Sequence, residues 1–439
     1  MRNTPINHEV VNKKIKESKL PNIGKASIRE LLKVVNQIEE ETGEKFIRME
    51  MGIPGLEAVQ IGVEAEIEAL KKGVASKYVN IEGIPEFKTE GQRFVKLFLN
   101  IDVEKSGCIP TVGSTSGSFA SFMTLGNLYD KPYTHLFIDP GFPVHKQQLR
   151  ALNHNIESFD VYDYRGDKLR EKLESHLAKG NINSILYSNP NNPSWICFTE
   201  KELKIIGDLA NKYNVIVMED LAYFGMDFRK DYSIPGEPPY QPTVANYTDN
   251  YILLISSSKA FSYAGQRLGM LVVSDKIFNL TSERLKMSYN SDIFGQALIY
   301  GSLYAINAGT AHSPQYAVTA ILKAVNNKEF NYREDVLEYA ERAEKMKELF
   351  TSNGFNIVYD KDEDVPIAHG FYFTFSYPDF TGEELLEELL YYGISGISLT
   401  ITGSKRTEGL RACVSLVHQN QFPDLEYRLK KFREHHPVN

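Results

Sequence analysis

The sequence predicts an α/β fold: a mostly parallel central sheet with helices on both faces, and a smaller α+β domain beside it. Two patterns carry this. Between about residues 111 and 273, short apolar runs alternate with segments of helical spacing. Such alternation builds a parallel sheet covered on both sides. Beyond residue 333 the order changes to helix, strand, helix, strand, helix, which suits an α+β unit.

The strands expected in the first region are 135–139, 156–161, 182–187, 215–219, 251–256 and 268–273. Each is short and largely apolar, so each needs cover on both faces. The helices expected between them include 168–178 and 200–213. The second follows Thr199 and contains Glu202, whose hydroxyl and carboxylate can satisfy free amides at a helix start. In the C-terminal region the spacing predicts a charged amphipathic helix over 334–352, stopped by Gly354 as a left-handed cap. A strand over 371–375, a helix over 381–392, a strand over 410–416 and a helix over 424–434 follow. Residues 20–49 read as an arm and helix that pack with this region. The expected division is 1–60 for the arm and part of the small domain, 61–315 for the large domain, and 316–439 for the small C-terminal domain. The stretch 229–250, with Pro235, Pro238, Pro239 and Pro242, reads as a surface excursion.

Composition narrows the function. Lys and Arg total 49 against 57 acids, a net charge of -8 over 439 residues. An acidic chain with no basic block lacks the electrostatic footprint of a nucleic-acid binder. No apolar run approaches the roughly 20 residues of a bilayer span. The N-terminus carries Lys13, Lys14 and Lys16 and lacks the apolar core of a secretory signal. Three widely spaced cysteines, Cys108, Cys197 and Cys413, build neither a disulfide framework nor a zinc site. The expectation is a soluble cytoplasmic enzyme with no metal, nucleic-acid or membrane partner.

In parallel sheets ligands bind beyond the carboxyl ends of the strands, so the residues after each run are where chemistry is sought. Asn189-Pro190-Asn191-Asn192-Pro193 follows one strand and Glu219-Asp220-Leu221-Ala222-Tyr223 the next. Ser256-Ser257-Ser258-Lys259 follows a third, and Arg267-Leu268-Gly269 comes shortly after. Upstream, Gly113-Ser114-Thr115-Ser116-Gly117 sits between a strand and a helix. These motifs, in this order, resemble the pyridoxal-phosphate enzymes of fold type I, specifically the class I and II aminotransferases. The resemblance covers roughly residues 25–420.

A lysine after a Ser-rich strand end can form a Schiff base with an aldehyde cofactor, because a buried amine loses its proton and becomes nucleophilic. The resemblance implies that Lys259 is that lysine and, once displaced, the base that moves the substrate α-proton. It implies that Asp220 binds the pyridine nitrogen of pyridoxal 5'-phosphate and keeps the ring an electron sink. Tyr223 and Asn192 would hydrogen-bond the cofactor's phenolic oxygen. Phosphate needs helix-start amides, hydroxyls and a cation; Ser114, Thr115, Ser256, Ser258 and Arg267 would supply them. The 113–117 loop is neither the dinucleotide fingerprint nor a P-loop. In Asp139-Pro140-Gly141-Phe142-Pro143-Val144-His145, Phe142 would stack on the ring, and His145 resembles a histidine that supports the aspartate.

Arg411 matches the arginine that grips the substrate α-carboxylate, a planar fork that lysine cannot copy. Gly52, in Gly52-Ile53-Pro54, resembles the arm segment lining the same pocket. Tyr78 matches a tyrosine that reaches the neighbouring subunit's phosphate, which implies a homodimer with a shared active site. Two departures stand out: Ser194-Trp195 replaces a common Thr-Gly and predicts a bulkier wall, and Ala264-Gly265-Gln266 displaces a glycine before Arg267. No arginine is identifiable for a distal substrate carboxylate. The implied activity is transamination between an L-amino acid and a 2-oxo acid. β-Lyase, decarboxylase and cyclising reactions use the same residues and stay open. An effector-sensing regulator is disfavoured, since only about 25 residues precede the arm and the chain is acidic. A degenerate homologue would be expected to have lost Lys259, Asp220 or Arg411.

Overall fold

Seven strands form the central sheet in the computed structural model, which describes residues 3–129 and 134–438. They are β1 (Cys108–Val112), β2 (Thr134–Asp139), β3 (Asn155–Asp160), β4 (Ile182–Ser188), β5 (Ile216–Leu221), β6 (Tyr251–Ser256) and β7 (Leu268–Val273). The spatial order is β1-β7-β6-β5-β4-β2-β3. β7 runs antiparallel to both its neighbours, and the other pairings are parallel. Six strands therefore end along the edge where β7 begins. Strands β6 and β7 are buried along their whole length, as their unbroken apolar runs require. The six expected runs are all strands of this α/β sheet, to within a residue or two at their ends.

Helix Glu200–Tyr213 starts where the sequence places it, with Thr199 and Glu202 forming the reciprocal cap. The C-terminal region holds a four-stranded antiparallel sheet of Ile397–Ser398, Leu410–Cys413, Tyr372–Ser376 and Asn356–Ile357. Helices Glu338–Ser352, Gly382–Leu390 and Phe422–His435 accompany it. The helix expected over 334–352 is divided: Asn331 caps a separate turn, Tyr332–Val336, before the long helix begins. The strand expected over 410–416 stops at Cys413, and beyond it the Ser415 hydroxyl bonds the Ile53 carbonyl of the arm. The arm itself joins this region. Its strand Ile47–Arg48 pairs in parallel with Ile394–Ser395, and Asn22 donates to Glu383 at 2.8 Å.

The stretch 229–250 is exposed at its tip but is not a free excursion. Glu219 and Asp220 are neighbours on β5, so they point to opposite faces. Glu219 is fully buried away from the Asp220 side and needs partners. Thr243 donates to it at 2.5 Å and the Val244 amide at 3.0 Å. Burial still pushes the Glu219 carboxyl up to about 7.

A charge cluster holds the hairpin before Tyr372 against the large sheet. Asp362 accepts from Arg165 at 3.0 Å, Arg229 at 2.8 Å and the Cys197 amide at 3.1 Å. Its carboxylate is almost wholly buried, so its loss leaves these donors unpaired. Asp362→Ala should lower stability by about 2–3 kcal/mol in denaturant unfolding; an unchanged midpoint would remove this clamp from the account.

Candidate active site

A cavity of about 420 Å³ opens at the shared strand edge, between the two sheets and the arm. It gathers every residue assigned above to cofactor or substrate except Tyr78. Tyr78 is fully exposed and lies outside it.

One end of the cavity is built for an anion. β1 stops at Val112 and helix Gly113–Gly126 begins with no side chain capping its first amides. Gly113 has a left-handed φ of +66°, and a β-carbon there would lie 2.5 Å from the Arg267 guanidinium. Only glycine fits under that cation. Arg267 stands at the start of β7, and its carbonyl accepts from the Gly113 amide at 2.9 Å. Ser114, Thr115, Ser256 and Ser258 line the same region. Free amides, hydroxyls and a guanidinium are the groups that suit an anion such as phosphate.

The floor is acidic. Asp220, the last residue but one of β5, has one oxygen on the Ala222 amide at 3.1 Å and the other 3.2 Å from His145 Nε2. Both side chains are buried. The Phe142 ring meets the His145 imidazole edge-on at 5.8 Å and faces the cavity. The histidine thus lies within hydrogen-bond reach of the aspartate.

Lys259 lies in the turn after β6, and its Nζ donates to the Gly52 carbonyl at 2.6 Å. It has no carboxylate partner among the described residues. Desolvation, helped by Arg267 and Arg411, pulls its ammonium down from 10.5 to about 8. Arg411, on strand Leu410–Cys413, is buried and equally without a carboxylate. Its guanidinium donates to the Glu50 carbonyl at 2.6 Å and to Asn192 Oδ1 at 3.2 Å, while its Nε has no partner. A buried guanidinium in that condition is poised for an incoming carboxylate.

Three features were not read from the sequence. Tyr372 lies between the sheets, its ring 4.7 Å from the Arg411 guanidinium and its hydroxyl 2.7 Å from that of Tyr223. Ile28 and Leu32, one turn apart on helix Ile28–Thr42, add apolar wall. Arg29 beside them is exposed and makes no ion pair or hydrogen bond among the described residues, so the cavity does hold a further cation. The expected bulkier wall is corrected: Trp195 is buried outside the cavity and packs behind Tyr223 and Tyr372, with ring centroids 5.4 and 6.1 Å away.

A family model described as aminotransferase class I and II matches residues 44–423. The chain belongs to that family. This class I and II aminotransferase-family chain is 26% identical over 260 residues to a probable aspartate aminotransferase of Methanocaldococcus jannaschii. That alignment spans 59% of this chain and 64% of the relative. An aspartate aminotransferase of Pyrococcus horikoshii is 24% identical over 70% of this chain and 73% of its own. Among solved structures, an alanine aminotransferase from Pyrococcus furiosus superposes with a TM-score of 0.75 at 19% identity, covering 94% of this chain and 98% of its own. A double mutant of the Thermus thermophilus aspartate aminotransferase gives 0.74 at 15%, covering 96% and 98%. The family's α/β fold is thus shared across nearly the whole chain.

An amine held near 8 is half neutral two to three pH units below an ordinary lysine. Reaction of the cofactor-free protein with an amine-directed reagent should therefore label Lys259 with a half-maximal rate near pH 8. A Lys259 profile still rising at pH 10 would show that the cavity does not desolvate it.

Proposed function

We propose that the chain is a homodimeric cytoplasmic aminotransferase that uses pyridoxal 5'-phosphate to move an amino group between an L-amino acid and a 2-oxo acid. One observation carries the reading: Lys259, Arg411 and an uncapped, cation-flanked helix start open into one cavity whose only lining carboxylate among the described residues is Asp220. Bound there, the cofactor supplies a reactive aldehyde and an electron-withdrawing ring. The residues present fit it, because the helix start and Arg267 suit its phosphate and Asp220 suits its ring nitrogen.

Each side chain then has a definite task. Lys259 would hold the cofactor by its neutral amine and, when freed, would serve as the base for the substrate α-proton. Asp220 would keep a proton on the ring nitrogen, and His145 would keep Asp220 in place. Phe142 would stack on the ring, and Tyr223 and Asn192 would hold its phenolic oxygen. Arg411 orients the α-carboxylate, with the Gly52 backbone beside it. Tyr78 projects fully into solvent and is available to a second copy's phosphate. Arg29 supports an acidic amino acid as one donor, in keeping with the aspartate aminotransferase names that some relatives carry.

Titrating purified protein with the twenty amino acids should bleach the visible band of bound cofactor for the true donors, and a 2-oxo acid should restore it. Irreversible change would favour lyase or decarboxylase chemistry. Lys259→Ala should abolish both band and turnover with the fold intact. Arg29→Gln should raise KM for aspartate by about threefold to tenfold and leave that for alanine alone; equal effects on both would remove Arg29 from substrate recognition.

A further inference from the structure

The two phenols Tyr223 and Tyr372 face each other across the seam between the large sheet and the C-terminal sheet, both buried and both lining the cavity. Their hydroxyls are 2.7 Å apart, and that is the single hydrogen bond either makes among the described residues. Two hydroxyls bring two hydrogens, and one bond uses one of them. The other hydrogen has no protein acceptor among the described residues.

The surroundings decide which phenol keeps it. The Arg411 guanidinium lies over the Tyr372 ring at 4.7 Å, and a cation on the ring face makes the phenol more acidic. Tyr372 is thereby the better donor of the pair. Desolvation holds both hydroxyls above their ordinary range, so both stay protonated, and the Arg411 cation on the Tyr372 ring is what distinguishes them. The other ionisable groups around the pair are Cys413, on the same strand as Arg411, and Lys259, whose Nζ is 5.3 Å from the Phe371 ring centre. Packing leaves Tyr372 no alternative place. Trp195 closes on it from behind, and a β-carbon at Gly52 would overlap its hydroxyl.

We propose that Tyr372 is a positioning residue: its hydroxyl donates to Tyr223, which turns the Tyr223 hydrogen toward the cofactor's phenolic oxygen and strengthens that donation. Chained hydroxyls polarise one another, so the second bond gains from the first. The inference rests on the proposed placement of the cofactor against Tyr223. It also links the two halves of the site, because the residue that stacks on the carboxylate-gripping Arg411 is the one that sets the donor on the cofactor.

The readout is the pH midpoint of the visible band in the cofactor-loaded protein without substrate. A stronger donor on the phenolic oxygen draws off its negative charge, so the adjacent Lys259 nitrogen gives up its proton at lower pH. Tyr372→Phe keeps the ring and its stack on Arg411 but removes the donor. It should raise the midpoint by roughly 0.5 to 1, the scale of one hydrogen bond. Tyr223→Phe should raise it further, and the double variant should match Tyr223→Phe alone. A midpoint in Tyr372→Phe that falls or stays put, while Tyr223→Phe raises it, overturns the relay and leaves the site reading standing. A further rise in the double variant would mean that Tyr372 acts directly and not through Tyr223. If Tyr223→Phe moves nothing, the placement of Tyr223 on the cofactor fails and the relay goes with it.

Discussion

Positive charge without matching carboxylates is the constraint around which the site is organised. Lys259, Arg267 and Arg411 face one cavity, and its only carboxylate among the described residues, Asp220, is already engaged by His145 and a backbone amide. Backbone carbonyls stand in for counter-ions: Gly52 for Lys259, Glu50 for Arg411 and Ala264 for Arg267. A carbonyl offers a partial charge where a carboxylate would offer a full one, so the cations remain under-compensated and Lys259 yields its proton early. Two of the three carbonyls belong to the arm. The seating of the arm and the electrostatics of the cavity are therefore one problem, and a ligand with a phosphate at one end and a carboxylate at the other relieves both.

The sheet supplies the geometry. Six strands running together deliver their ends to one edge, but a cation beside the first helix start requires a side chain from the neighbouring strand. That neighbour is β7, and because it runs the opposite way the residue just before it, Arg267, arrives where the others finish. Arg267 owes its position to that reversal. The two-residue period of β5 does similar work across the thickness of the sheet. Asp220 is delivered to the cavity, and Glu219 beside it is sent to the far face, where the Thr243 segment ties down a loop that would otherwise be loose.

This is why so much was legible in the sequence and where legibility stopped. Strand runs such as 251–256 and 268–273 carry their own burial pattern, and motif residues such as Asn192, Asp220 and Lys259 sit at fixed short distances beyond them. Local order along the chain therefore predicts spatial order along the edge. Residues that reach the cavity from other elements have no such marker. Arg29 sits in the first turn of an ordinary amphipathic helix, and Tyr372 reads as one more aromatic in the run 371–375. Their place depends on the packing of the arm and the C-terminal sheet against the central one, over separations of hundreds of residues. Trp195 is the converse case: its motif position pointed at the cavity wall, yet close packing against Tyr223, Tyr372 and the Cβ-less Gly370 turned its ring inward.

The contact between Gly52 and Tyr372 binds these threads together. Gly52 accepts from Lys259 through its carbonyl, and its α-carbon lies against the Tyr372 hydroxyl with no room for a side chain. Tyr372 in turn touches Tyr223 and carries the Arg411 guanidinium on its ring. A single side-chain-free position thus adjoins the amine expected to hold the cofactor, the phenol pair expected to steer it, and the arginine expected to hold the substrate. Any residue larger than glycine at 52 would push Tyr372 off the Arg411 stack or lift the arm away from Lys259. Both displacements strike the same under-compensated cations. Glycine is therefore required at 52 for the space it leaves to others, independently of any backbone freedom it brings.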